Sequence, residues 1–421
     1  MFLKTRLEKA IEGVIKTGSE PDSAFMGFKQ SSLRSRREVV SLCDALEELY
    51  DEEIVREVAP SFRLKKLLRF FQELDPNSAR EIIGNRALPF LVCIFENHLS
   101  DRNWQDEALM LILRIFARLG GQDELGCLVA AAHTEDCCQK FWWSGLMRLF
   151  EDNHPHMPWL VETLSEPLPS GFAAVAFLDL VNKLGRENQI FAHPFDTAEG
   201  RERLKSYLIC TNPEEFSYGV STVVSLPFLA FGQEPLLALA HVHVDAHVRL
   251  EAAWAAARTG RQKGWTDLAE FCLDANWSRL AVSYLEELGR PQLVPDKARA
   301  PDFQARAEMC SWLAHPMEFG RFPDEIELYD KRRIFWPPTN DRRSLWLFKY
   351  RFSSDNGRGI KEGIGLVGSV TYALFGVSSG HMPPEDIYGL HCCWELENNG
   401  DHRAPKQRTA ATGRNILATY N

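Results

Sequence analysis

Apolar residues recur every three or four positions along most of the chain up to about residue 315. That spacing places one apolar stripe along each helix. It predicts helices at about 36–58, 61–74, 78–99, 104–119, 123–132, 137–151, 171–184, 199–209 and 303–315. Another is predicted over 1–16, with Leu3, Leu7, Ala10, Ile11, Val14 and Ile15 on one face, and a polar loop follows over 17–34. Proline and glycine punctuate the series at Pro60, Pro76, Gly120-Gly121, Pro155, Pro158, Pro167 and Pro169. Four helices close on similar words, ending at Gly120, Gly185, Gly260 and Gly289. Glycine just past a helix end relieves the left-handed residue there.

Beyond residue 290 the pattern changes. Residues 290–302 carry three prolines and read as a linker. Ile334-Phe-Trp is strand-like and stopped by two prolines, and the stretch from Leu345 to Phe352 ends by alternating with Lys349 and Arg351. Ser353 to Gly357 reads as a turn. Ile364 to Phe375 and Tyr388 to Leu396 are two further predicted strands. Together they imply a small antiparallel sheet, whose Trp346, Phe348, Tyr350, Phe375 and Trp394 are expected to pack against the helices. The last 20 or so residues are polar and basic and are predicted to lack fixed structure. The fold class is thus mainly α: an α-solenoid with a small C-terminal antiparallel sheet. The expected division is 1–35, helix and loop; 36–315, solenoid; 316–400, sheet; and 401–421, tail.

The clearest repetition lies between Asp245 and Gly289. One copy runs Asp245-Ala-His-Val-Arg-Leu-Glu-Ala-Ala-Trp-Ala-Ala-Ala-Arg-Thr-Gly260, and the next runs Asp274-Ala-Asn-Trp-Ser-Arg-Leu-Ala-Val-Ser-Tyr-Leu-Glu-Glu-Leu-Gly289. Each opens on an acidic cap and closes on glycine 15 positions later. A helix recurring at so short a period is the mark of a stacked repeat. Through Asp245, Val248, Arg249, Leu250, Ala252, Ala253 and Gly260, then Asp274, Arg279, Ala281, Val282, Leu285 and Gly289, the segment resembles short HEAT-like repeats of the phycobilisome-lyase kind. The regular helical hairpins extend over 222–289. The resemblance implies a ladder of Asp and Arg side chains between repeats. Arg249 lies four positions after its Asp but Arg279 lies five after, so the second copy departs from the pattern.

Composition narrows the function. The 45% hydrophobic and 25% charged content over 421 residues is that of a globular protein with a sizeable interior. A net charge of −10 makes nucleic acid and anionic membrane unfavourable partners. No run reaches the roughly 18 apolar residues of a membrane span. The N-terminus is charged too early for a signal peptide, and the 10 cysteines include no CxxC pair. Reduced thiols in a cytoplasmic protein are the expectation.

Three stretches offer chemistry. His241, His243, Asp245 and His247 form HxHxDxH, a set of good zinc or iron ligands close to the HxHxDH of metallo-β-lactamase-like hydrolases. Ala246 is inserted relative to that motif, and Asp245 also suits a helix cap. Gly363-Ile-Gly365-Leu-Val-Gly368 matches GxGxxG, but strand-like residues follow where a dinucleotide site needs a helix. His391-Cys392-Cys393-Trp394 supplies soft ligands, which a strand would turn to opposite faces. The repeated His-Glu dipeptides of HEAT-like hydroxylases are absent, as are HExxH and Walker A motifs.

The leading expectation is therefore a non-enzymatic α-solenoid scaffold that binds a protein or peptide, without a cofactor. The alternative is a metal-dependent enzyme or metal-binding protein built on His241, His243, Asp245 and His247. Asp245, Arg249, Gly260, Asp274, Arg279 and Gly289 are the expected repeat residues.

Overall fold

A computed structural model describes residues 8–9, 11–12, 36–53, 62–72, 76–99, 106–151, 154–353, 361–375 and 382–420. The described chain is mainly helical, with one small antiparallel sheet. The expected 17–34 loop and most of the 1–16 helix lie outside these residues, as do residues 354–357 of the expected turn. The chain divides into two compact units, Met1–Leu239 and Ala240–Asn421.

The first unit holds α1 (Arg36–Glu53), α2 (Phe62–Gln72), α3 (Pro76–Arg86), α4 (Leu88–His98), α5 (Asp106–Leu119) and α6 (Gln122–His133). Two short helices follow, α7 (Glu135–Cys138) and α8 (Trp143–Met147), then α9 (Met157–Ser165), α10 (Gly171–Arg186), α11 (Ala198–Ile209) and α12 (Phe216–Ser225). The main packing is local in chain order: α2 lies on α5, α4 on α6, α6 on α9, and α10 on α12. In α10, Ala173 through Leu178, Leu180, Val181 and Leu184 are all buried. A helix apolar on so many sides belongs between neighbours, and each large side chain withdrawn from water contributes about 1.5–3 kcal/mol.

Several corners share a device. In His154-Pro-His156, His193-Pro-Phe195 and His315-Pro-Met317, the first imidazole's Nδ1 accepts the N–H of the residue two positions on, at 3.2, 3.3 and 3.2 Å. The intervening proline has no N–H to satisfy and a fixed φ. His243 does the same for Asp245 N at 3.0 Å.

α13 (Gln233–His241) runs across the division. The second unit continues with α14 (Ala246–Arg258), α15 (Gln262–Phe271), α16 (Ser278–Glu287), the short α17 (Asp296–Arg299) and α18 (Pro301–Leu313). In α14, Val248 and every residue from Leu250 to Ala257 are buried. α15 crosses α14 at Gly264, where a side chain would strike the backbone of Ala253 and Ala257.

The sheet is a four-stranded antiparallel meander of β1 (Glu325–Trp336), β2 (Asp341–Phe352), β3 (Lys361–Val367) and β4 (Tyr372–Phe375). Register pairs Leu328 with Phe348, and Phe348 with Gly365. Alternation gives the sheet two apolar faces. Phe348, Tyr350, Phe352 and Val367 pack with Ala305, Met309 and Leu313 of α18, and Trp346 sits at the edge of this cluster. Leu345, Leu347, Ile364 and Leu366 pack on the other side with Ile387, Tyr388, Cys392 and Leu396.

That second layer corrects the sequence reading. Residues 388–396 belong to α19 (Pro384–Asn398) rather than a strand, and the tail carries α20 (Ala410–Tyr420) rather than lacking fixed structure. Proline in the first turn, Glu385 and Asp386 beside it, and Asn399-Gly400 beyond are helix start and stop signals. Trp394 therefore stands on α19, stacked on Tyr372 at 4.8 Å. The Phe375 side chain lies outside the described residues.

Candidate functional site

The corner between α13 and α14 carries the sequence motif. His243, only 7% exposed, turns inward to accept the Asp245 N–H. Asp245 caps α14, its Oδ1 accepting from His247 N at 2.7 Å and Val248 N at 3.2 Å. Arg249 reaches back over the corner, Nη1 donating to the carbonyls of His243 at 2.6 Å and Val244 at 2.8 Å. Cap and arginine together satisfy groups at both sides of one turn, which makes the motif a structural clasp.

The other two imidazoles look elsewhere. His241 Nδ1 lies 3.5 Å from Asp267 Oδ2, and burial holds its pKa below the usual value, against the opposing pull of Asp267. His247 Nε2 lies 3.5 Å from Glu251 Oε1, and its ring packs on Trp277 at 5.1 Å. Glu251 is 2% exposed and accepts a short hydrogen bond from the Tyr284 hydroxyl. The four side chains of HxHxDxH thus serve different partners. Among the described residues no group of three or more His, Cys, Asp or Glu is arranged to hold a metal ion.

The repeat residues divide in role. Gly260 and Gly289 adopt φ of +82° and +69°, and the following N–H of Arg261 and of Arg290 closes back on Ala256 O at 2.9 Å and Leu285 O at 2.7 Å. Gly185 differs from the expectation: it lies inside α10 with the Phe228 ring against it, and the helix stops at Asn188, φ +56°. Asp274 also departs from the expected cap. Its Oδ1 accepts from Asn276 N at 2.9 Å, but α16 begins four residues later, at Ser278. Arg279 is exposed and makes no hydrogen bond or ion pair among the described residues. The polar links between α14 and α16 run instead through Arg258 and Glu287, 3.1 Å apart, and through the Tyr284 hydroxyl on Glu251.

The glycine motif lies on β3. Gly365 lets the Met309 side chain of α18 approach the sheet, and Gly368, φ +108°, turns the chain beside Ser344 O. Both are packing roles.

His391 and Glu395 form a buried pair on α19, Nε2 to Oε1 2.9 Å, with side chains 3% and 2% exposed. Glu395 also accepts from Trp336 Nε1 at 2.9 Å, Ser369 Oγ at 2.8 Å and Val370 N at 3.2 Å. Burial by itself raises this carboxyl's pKa, but the bonds from His391, Trp336 and Ser369 outweigh it and hold it below the usual range. Every acceptor site is used, so the pair locks α19 to β1 and the β3–β4 turn. Cys392 beside it is pushed up to about 12 by burial, which disfavours the thiolate a metal would need.

The sequence reading missed an aromatic row on the first unit. Phe141 meets Phe172 at 5.1 Å, Phe172 meets Tyr218 at 6.0 Å, and Tyr218 meets Tyr207 at 5.6 Å. The row crosses the turn before α8 and then α10, α12 and α11. Phe141 is 79% exposed and the other three are half-buried. These residues fall on different helices, so no single-helix period marks them. Among the described residues no helix is long and apolar enough to cross a membrane. Compared with protein-family models and with curated proteins, the sequence matches none.

Proposed function

We propose that this chain is a non-enzymatic scaffold that binds a protein or peptide, organised as an α-solenoid of short HEAT-like repeats. The aromatic row Phe141–Phe172–Tyr218–Tyr207 carries the reading. Aromatic residues concentrate where partners dock, because they cover much area for little side-chain entropy. Burial pushes Tyr207 up to about 12, so its hydroxyl stays protonated and can serve as a polar handle. Helices that pack on near neighbours in chain order support the repeat organisation, since a solenoid is built from such contacts. With a net charge of −10, the favoured partner surface is neutral or basic.

The test is a paired capture from the source cells using wild type and a Phe141→Ala/Tyr218→Ala variant, with helical content checked first. A partner recovered with wild type and lost from the variant, then reproduced with purified components, supports the reading. Identical recovery by both proteins, or no partner with either, contradicts it.

A further inference from the structure

The second unit holds an open cleft of about 520 Å³, lined by Arg279 of α16, Glu308 and Trp312 of α18, Met317 and Glu318 beyond it, and Thr371 before β4. That volume lies in the range of small-molecule sites. We propose that the cleft binds a small zwitterion: a free amino acid, or a molecule like one, with an apolar body. This goes beyond the scaffold reading and does not depend on it.

Arg279 of α16 lines one side of the cleft. Its guanidinium has no hydrogen bond or ion pair among the described residues, although two carboxylates line the same cleft. Glu308 is turned to the Thr371 hydroxyl, 2.6 Å away, and Glu318 likewise makes no ion pair with Arg279. The cleft therefore presents both signs of charge without pairing them. A guanidinium fork suits a carboxylate, to which it offers two parallel N–H donors. The glutamates suit an ammonium. A simple anion would meet their repulsion and a simple cation that of Arg279, so a ligand bearing both charges is favoured over either. Trp312 is held against the sheet cluster and Met317 is 83% exposed, which gives an apolar wall for the body of the ligand.

Calorimetric titration of the full chain with L-leucine, L-methionine and L-phenylalanine tests the proposal. The probes lacking one charge are phenylalaninamide and N-acetylphenylalanine. Saturable binding of at least one free amino acid is expected, with each blocked form weaker by about tenfold or more. Arg279→Gln should lose at least as much while melting like wild type, since Arg279 is exposed. Glu318→Gln should weaken the amide, which keeps its ammonium, but not N-acetylphenylalanine. Absence of saturable binding by all three amino acids overturns the proposal. So does equal binding by wild type and Arg279→Gln, or an amide that binds as tightly as the free acid.

Discussion

Gly413 of α20 lies backbone to backbone against Gly389 of α19, with no room for a β-carbon at Gly413. In an open helix, glycine to alanine stabilises by roughly 0.5–1 kcal/mol. Here the added methyl must push two helices apart, a cost of about 1–3 kcal/mol. Gly413→Ala should therefore lower the urea midpoint. Gly126→Ala in α6, where nothing lies within 4 Å of the new atom, should leave it unchanged or raise it. Equal effects would mean the crossing is looser than described.

Glu395 gathers bonds from Trp336, Ser369, Val370 and His391 in a nearly dry site. Glu395→Ala should cost about 3 kcal/mol or more, because it strands those donors. The carboxyl is held below its ordinary pKa in the folded state. Its contribution is therefore complete above the ordinary carboxylate range and is lost as pH falls through the folded value. Acid unfolding of wild type and Glu395→Gln measures this. The variant should show a shallower loss of stability on acidification, and matching profiles would remove Glu395 from the account.

His193 is buried at a corner, with Nε2 3.1 Å from Asn182 Oδ1 and Nδ1 accepting from Phe195 N. Burial lowers its pKa to about 4. The unfolded chain takes up a proton near 6.5 while the folded one does not, so stability is full above about 6.5 and declines toward 4. The loss amounts to about 3 kcal/mol across that window. Melting of wild type and His193→Gln at pH 7 and pH 5 checks it. The difference between the two proteins should shrink at the lower pH, and a constant difference would contradict the assignment.

Asp245→Ala removes a helix cap and should cost about 0.5–2 kcal/mol. Asp274→Ala removes only a turn bond to Asn276 and should cost less. Thermal melts of both rank the two copies, and a larger loss at Asp274 would reverse their roles.

How far the sequence is informative depends on range. Asp245 and Gly260 are legible because cap and stop act within a few residues of themselves. β2 is legible because its apolar run is bounded by charged and turn residues. α19 misled because it is buried toward both the sheet and α20, so the stretch from Tyr388 to Leu396 shows no polar face to set the period. The sequence around Gly365 reads as strand rather than a phosphate loop, but the contact that explains the glycine comes from Met309, far away in sequence. The aromatic row and the Arg279 cleft were invisible for the same reason: each assembles residues from several elements.

The scaffold reading is tested most directly by hydrogen–deuterium exchange of the full chain, alone and with its captured partner. Binding should slow exchange in the segments bearing Phe141, Phe172, Tyr207 and Tyr218, and leave the His241–His247 corner unchanged. Protection confined to that corner, or none in the aromatic segments, would contradict it.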